Sequence, residues 1–322
     1  RHSHNIALAA PRGEAKSTWL LIFLIWCIVF EKKRFAIYIM DVYEQAASVI
    51  EAAAIELELN PRLACDFPAA CGRGRVWRHG EIVTANGIRL LARGAGQRVR
   101  GLKPGAFRPD MVLIDDVEND TNVESPTQRD KLESWIRKAV ANLGEAGEKL
   151  DILMVGTLLH HDSVLARIQK NPLWTKIVMS AIVRWPDRMD LWEAWEEILL
   201  SADHDTEANE KAEQFYKKNK KAMSEGAVVS WPDKRPLKLL MLLRTDVGHD
   251  AFDSEYQNTP THKNAAFKDG DFHYLVAVKR DWLFFGACDP SLGGSNRGDP
   301  SALLIAGLDR DTRTVNLVVA DI

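Results

Sequence analysis

The sequence predicts an α/β protein: a mainly parallel sheet with covering helices, a helical region, and then the opening strands of a second sheet. Three observations carry this expectation. Residues 5–59 alternate strand-type and helix-type apolar runs at the pitch of βαβ units. A polar loop bearing a lysine and hydroxyls joins the first strand to the first helix. Far downstream, the apolar run from Pro109 ends in the paired carboxylates Asp115 and Asp116, as a buried parallel strand does at a ligand crevice.

The first run, Asn5-Ile6-Ala7-Leu8-Ala9, reads as a strand, and Trp19 to Phe30 as a uniformly apolar helix expected to be buried on all sides. Between them lies Ala10-Pro11-Arg12-Gly13-Glu14-Ala15-Lys16-Ser17-Thr18. Strand, polar loop and helix in that order form a phosphate-binding loop. Backbone N–H groups from Gly13 to Thr18 cradle phosphates, Lys16 reaches the β and γ oxygens, and the Ser17 hydroxyl holds Mg²⁺. Ala10 and Ala15 stand where G-x-x-x-x-G-K-[ST] has glycine, so a chance Lys-Ser-Thr at a helix start competes with this reading. The apolar helix is too short to span a bilayer, which needs about 20 residues. Glu31-Lys32-Lys33-Arg34 after it lacks a signal-peptide cleavage pattern, so no membrane anchor is expected.

Arg34 to Met40 reads as a second strand and Tyr43 to Leu59 as a helix ending before Pro61. Residues 72–108 carry short β-type runs interleaved with Arg73, Arg75, Arg78, Arg89, Arg93, Arg98, Arg100, Lys103 and Arg108, with Glu81 nearly alone in opposition. Such clustering suits phosphate contact, from a nucleotide or a DNA backbone; a charge-guarded sheet edge is the other reading. At the end of the strand from Pro109, Asp115 is expected to orient Mg²⁺ through water, and either Asp116 or Glu118 to activate the attacking water.

Ser125 to Asn142 reads as a helix capped by Ser125 with Pro126 in its first turn. Leu150 to Val155 is a buried strand ending in Gly156-Thr157, whose hydroxyl is placed to sense a γ-phosphate. His160 and His161 follow; adjacent histidines in a strand face opposite ways, so no metal site is expected there. Trp192, Trp195 and Leu199 share a helical face that reads as core. Asp203 to Glu225 reads as a charged helical arm whose lysines are solvated or touch DNA, and Pro260 to Ala265 as a linker. Trp282 to Cys288 then delivers Asp289, with Asp299 and two more apolar strands beyond. An acid ending the first strand of such a meander opens the ribonuclease H-like nucleases, where carboxylates gather two metals; a turn-forming Asp-Pro explains the same residues.

The expected domains are 1–185, 186–262 and 263–322. A 322-residue chain with 46% hydrophobic residues can fill more than one core. The net charge of -3 neither indicates nor excludes nucleic acid. The four cysteines are scattered without zinc-like spacing, which points to reduced thiols and a cytosolic compartment. The absent initial methionine and the terminal apolar strand suggest a fragment.

Taken in order, residues 10–18, the run Arg108 to Asp120, Val155-Gly156-Thr157, Glu255 to Pro260, Gly286 to Pro290 and Gly298-Asp299 resemble the large terminase subunit of tailed bacteriophages across essentially the whole chain. The resemblance implies a P-loop ATPase core, a helical linker region and a truncated ribonuclease H-like nuclease. It implies ATP-driven packaging of double-stranded viral DNA into a procapsid, coupled to endonucleolytic cutting of concatemers. That family tolerates alanine beside the loop lysine. Arg12 matches an arginine proposed to reach the γ-phosphate in cis, Thr157 the coupling motif, and Asp289 the first metal-binding aspartate of the nuclease. ATP with Mg²⁺, and Mg²⁺ or Mn²⁺ at the nuclease, are the implied cofactors. Portal protein, small terminase subunit and further copies in a ring are the implied partners, in the host cytoplasm and transiently on the procapsid. The chain departs from the family where Asp116 replaces the usual glutamate and where the upstream adenine-contacting segment is absent. Later nuclease carboxylates are expected beyond Ile322, and Asp321 is unassigned. A DNA ATPase without nuclease, and a degenerate ATP-binding module serving assembly, remain competing readings.

Overall fold

Apolar runs without alternation need cover on both faces, and the chain supplies it by wrapping helices around a mixed, mostly parallel sheet. The structure is a computed structural model describing residues 4–99, 101, 107–145, 150–201, 206–260, 281–289, 302–310 and 314–321. It divides into two compact units, 1–263 and 264–322.

In the first unit the strands are β1 (Asn5–Ala9), β2 (Phe35–Met40), β3 (Arg73–Arg78), β4 (Glu81–Thr84), β5 (Arg89–Gly94), β6 (Met111–Asp115), β7 (Asp151–Gly156) and β8 (Thr175–Val178). They lie in the order β3-β4-β5-β2-β6-β7-β1-β8, parallel from β5 to β8 with an antiparallel edge at β3 and β4. β2 shows how two cores form from one strand. Phe35, Ile37 and Ile39 pack with Ile136, Val140, Val164 and Leu165 on one face. Ala36 and Tyr38 pack on the other with α1 (Lys16–Val29) and α2 (Tyr43–Leu59). Residues 89–94, read from sequence as part of an arginine-bearing insertion, are a strand of the main sheet beside β2.

Two expectations are corrected. α1 is buried only along Leu20, Leu24, Cys27 and Ile28, whereas Trp19, Ile22, Phe23, Trp26 and Phe30 are exposed. Its composition hides the one-sided packing of a surface helix, because both faces are apolar. His160 and His161 lie beyond the end of β7, not in a strand, with their rings tilted by 37° and their centroids 4.0 Å apart; strand alternation does not govern them.

After the short helices α3 (Pro61–Asp66) and α4 (Asp120–Glu124), α5 (Pro126–Trp135) is capped by Ser125 and continues as a π-helical turn over Ile136–Val140. It is clasped to α6 (Val164–Gln169) by Arg167, which donates to Asp162 (2.6 and 2.8 Å), Asp130 (2.7 Å) and Glu133 (2.9 Å). Arg167 and, against the smaller effect of burial, Arg129 hold the Asp162 carboxyl down to about 2. A depressed folded-state pKa stabilises above the ordinary value and loses that contribution as pH falls through the folded value. Asp162→Asn is therefore expected to lower the urea midpoint at pH 7, with the gap from wild type closing as pH falls from 4 toward 2. A gap unchanged across that window contradicts the linkage.

The chain then builds its helical part from α7 (Met189–Leu200), α8 (Thr206–Ser224), α9 (Leu237–Val247) and α10 (His249–Glu255), with a short antiparallel pair of β9 (Ile182–Arg184) and β10 (Val228–Val229). Trp192 and Trp195 are its buried centre, with the Trp192 indole donating to Met223 O at 2.7 Å. The second unit is an antiparallel meander of β11 (Leu283–Asp289), β12 (Ala302–Asp309) and β13 (Thr314–Asp321), with Asp289 opposite Ala302.

Candidate active site

Sheet order assembles the site. β6, β7 and β1 are neighbours, so their C-terminal ends bring Asp115-Asp116, Gly156-Thr157 and the loop after Ala9 side by side. That is the edge where open α/β sheets bind ligands. The loop is pinned at its start by Ala10 N–H donating to Gly156 O at 2.9 Å. It turns through Gly13 (φ 77°) and enters α1 through Ala15, whose φ of 56° and ψ of 31° are left-handed. Ala15 thus keeps the conformation that glycine would serve there, at a cost of about 1–2 kcal/mol. No side chain caps α1, which leaves its first-turn N–H groups for an anion.

The Lys16 side chain is 7% exposed and ends among three groups, one from each strand end. Its ammonium donates to Thr157 Oγ1 at 2.6 Å and to Ala10 O at 3.3 Å, and lies 3.6 Å from Asp116 Oδ1. Asp116 is also left-handed, φ 40°, with its N–H held by Val155 O at 3.0 Å. A Cβ on Gly156 would make a tight contact with Leu165, 3.3 Å, and an ordinary one with Asp116 Oδ1, 3.5 Å. Strained backbone on both sides of the lysine is the kind of feature that surrounding structure sustains at functional sites.

Asp115 lies behind, fully buried. Tyr38 donates its hydroxyl to Asp115 Oδ2 at 2.7 Å, while Oδ1 is buried with no hydrogen-bond partner. Burial raises this carboxyl above the ordinary carboxylate range, opposed by the Ser17 hydroxyl, close by but outside hydrogen-bonding geometry, and by the Tyr38 hydroxyl. A buried carboxylate oxygen without a partner, next to a serine hydroxyl at a helix start, fits a hydrated Mg²⁺, which takes oxygen ligands and keeps several waters.

Glu118 is engaged elsewhere. Its two oxygens accept Val164 N–H at 2.7 Å and Leu165 N–H at 3.0 Å at the start of α6. Burial raises its pKa and those two donors lower it. Of the two carboxylates left open by sequence, Asp116 is the one beside Lys16.

Arg12 is 68% exposed and pairs with Glu255 at 3.2 Å, and its N–H donates to Glu255 O at 2.9 Å. Thr18 is exposed, and Glu14 accepts from Ser230 Oγ at 3.1 Å. Several residues that sequence reasoning missed as site residues hold the loop from the helical part. Lys234 donates to Gly13 O at 2.7 Å and Arg235 to Arg12 O at 2.6 Å. Asn258 accepts Leu158 N–H at 2.8 Å and donates to Met179 O at 2.8 Å, tying the end of β7 to the chain after β8. Glu255 and Asn258 belong to a motif quoted from the sequence without a role; Lys234 and Arg235 sit in an ordinary Pro-rich turn and carry no sequence signal.

The arginine-rich stretch is partly neutralised: Arg73 pairs with Glu58, and both Arg78 and Arg89 with Glu81. Arg75 and Arg98 are exposed; Arg100 and Lys103 lie outside the described residues. In the second unit Asp289 ends β11, and Asp299 lies outside the described residues. Among the described residues no group of three or more His, Cys, Asp or Glu is placed to hold a metal, and no helix is long and apolar enough to cross a membrane.

No protein-family model and no curated protein matches the chain. Among solved structures it is similar to the large terminase ATPase domain of Thermus phage P74-26, with 15% identity and a TM-score of 0.37 over 78% of this chain and 86% of that one. A point mutant of the same domain gives 14% identity and a TM-score of 0.38, over 79% and 88%.

Proposed function

We propose that the chain is an ATPase that drives double-stranded DNA, in the manner of a viral packaging motor. The observation that carries this is the Lys16 ammonium, held at the junction of three parallel strand ends by Thr157, Ala10 O and Asp116. In this reading the loop N–H groups and Lys16 bind the β and γ oxygens of ATP. Asp116 takes the proton of the attacking water as that water bonds to the γ-phosphorus, and the bond to the β–γ bridging oxygen breaks, leaving with ADP. Ser17 and, through water, Asp115 would hold Mg²⁺, which when bound would supply charge neutralisation for the triphosphate. Thr157, sharing the lysine, senses whether the γ-phosphate is present. Arg12 reaches the γ-phosphate by exchanging its Glu255 partner. The exposed arginines Arg75 and Arg98 are assigned to the DNA backbone.

The meander ending β11 at Asp289 supports extending the reading to Mg²⁺- or Mn²⁺-dependent DNA cutting. Portal protein, small terminase subunit and a ring of copies, working in the host cytoplasm on a procapsid, belong to the same proposal. The test is Mg²⁺-dependent ATP turnover with and without linear double-stranded DNA. Turnover raised severalfold by DNA, with the stimulation lost above a few hundred millimolar salt, is the expected result. Turnover indifferent to DNA removes the DNA half of the reading.

A further inference from the structure

The turn Trp231 to Pro236, ahead of α9, places two cations against the carbonyls of the phosphate loop. Lys234 Nζ donates to Gly13 O at 2.7 Å, and Arg235 Nη1 donates to Arg12 O at 2.6 Å. Neither contact is incidental to a loose surface. The Arg235 side chain is 16% exposed, lies over the Tyr256 ring at 5.2 Å, and is 3.8 Å from the buried Glu14 carboxylate. Lys234 lies over the Trp231 ring at 4.5 Å. A Cβ added to Gly13 would meet Arg235 Nη2 at 2.0 Å, so the guanidinium rests directly on the loop backbone.

In a trans peptide the C=O and N–H point in opposite directions. The carbonyl of Arg12 shares a peptide with the N–H of Gly13, and the carbonyl of Gly13 with the N–H of Glu14. Cations holding those two carbonyls therefore fix both N–H groups to point away from the cations, and polarise them as donors. The Glu14 N–H spends itself only on a long turn bond to Pro11 O, 3.3 Å, which a phosphate oxygen can replace.

We infer that Lys234 and Arg235 are positioning residues that pre-set the phosphate cradle from the helical part of the unit. The inference rests on the ATPase reading and deepens it. The pair offers support from outside to a loop whose Ala15 holds a left-handed conformation without glycine's freedom. Neither residue touches the nucleotide, so the loss falls on binding more than on the chemical step.

The experiment compares wild type, Lys234→Met/Arg235→Gln, Lys234→Arg and Lys16→Ala in the whole chain, measuring Kd for ATP and for inorganic pyrophosphate, KM, kcat and Tm. In the double variant, Kd and KM for ATP should rise about tenfold or more with kcat within about twofold, since hydrogen bonds from charged groups are lost. Pyrophosphate binding should weaken in parallel, and Lys234→Arg should recover near-wild-type affinity. A lowered Tm with both affinities within about twofold of wild type shows mere bracing and overturns the inference. If the double variant does not fold, Lys234→Met alone decides by the same affinities. Wild type that binds no ATP overturns both the ATPase reading and this inference. Wild type that binds ATP through Lys16, beside variants that bind equally well, overturns this inference alone.

Discussion

Lys16→Ala is expected to lower ATP turnover by about three orders of magnitude or more. The ammonium ends among Thr157, Ala10 O and Asp116, and alanine removes the cation proposed to meet the β and γ oxygens. The fold should tolerate the change. Lys16 pairs with one carboxylate, 3.6 Å away and 42% exposed, and its influence on the buried Asp115 is minor beside burial and the Ser17 and Tyr38 hydroxyls, so Tm should shift only modestly. Steady-state phosphate release and a thermal melt on the same samples check both halves. Turnover retained in a folded variant removes the loop from the mechanism.

Asp116→Asn and Glu118→Gln are expected to part company. Asp116→Asn keeps the shape and the left-handed backbone, since asparagine tolerates positive φ, but it cannot take a proton. Turnover should fall about 10²–10⁴-fold while ATP stays bound. Glu118→Gln instead weakens the acceptor for the first N–H groups of α6, since a neutral amide offers a single oxygen where the carboxylate offers two. It should cost about 1–2 kcal/mol of stability with little loss of turnover per folded molecule. Single-turnover hydrolysis beside urea unfolding separates the two effects. The reverse pattern, with trapped ATP in Glu118→Gln, assigns the base to Glu118.

Much of this site was legible because its chemistry is local. Lys16-Ser17 after a strand, and Asp115-Asp116 at the end of another, announce themselves through residue type and position. What sequence could not give was lateral order. Thr157 meets Lys16 only because β7 lies between β6 and β1, and nothing in residues 150–157 encodes that. Position at the strand end favoured Asp116 as the base but left Glu118 open, and only the fold shows both Glu118 oxygens accepting the first N–H groups of α6. The clamp by Lys234 and Arg235 was invisible because it acts on carbonyls, which every residue has. α1 misled because an unbroken apolar run conceals which face is packed: Leu24 is 1% exposed and Trp19, five residues earlier, 66%.

The central claim is that residues 10–18 hold the triphosphate of ATP. Amide hydrogen exchange with and without Mg²⁺ and a non-hydrolysable ATP analogue tests it most directly. Slowed exchange concentrated in peptides covering Gly13 to Thr18, absent when Lys16→Ala is treated in the same way, is the result expected. Unchanged exchange across that loop while the analogue is bound, or protection confined to another part of the chain, would contradict it.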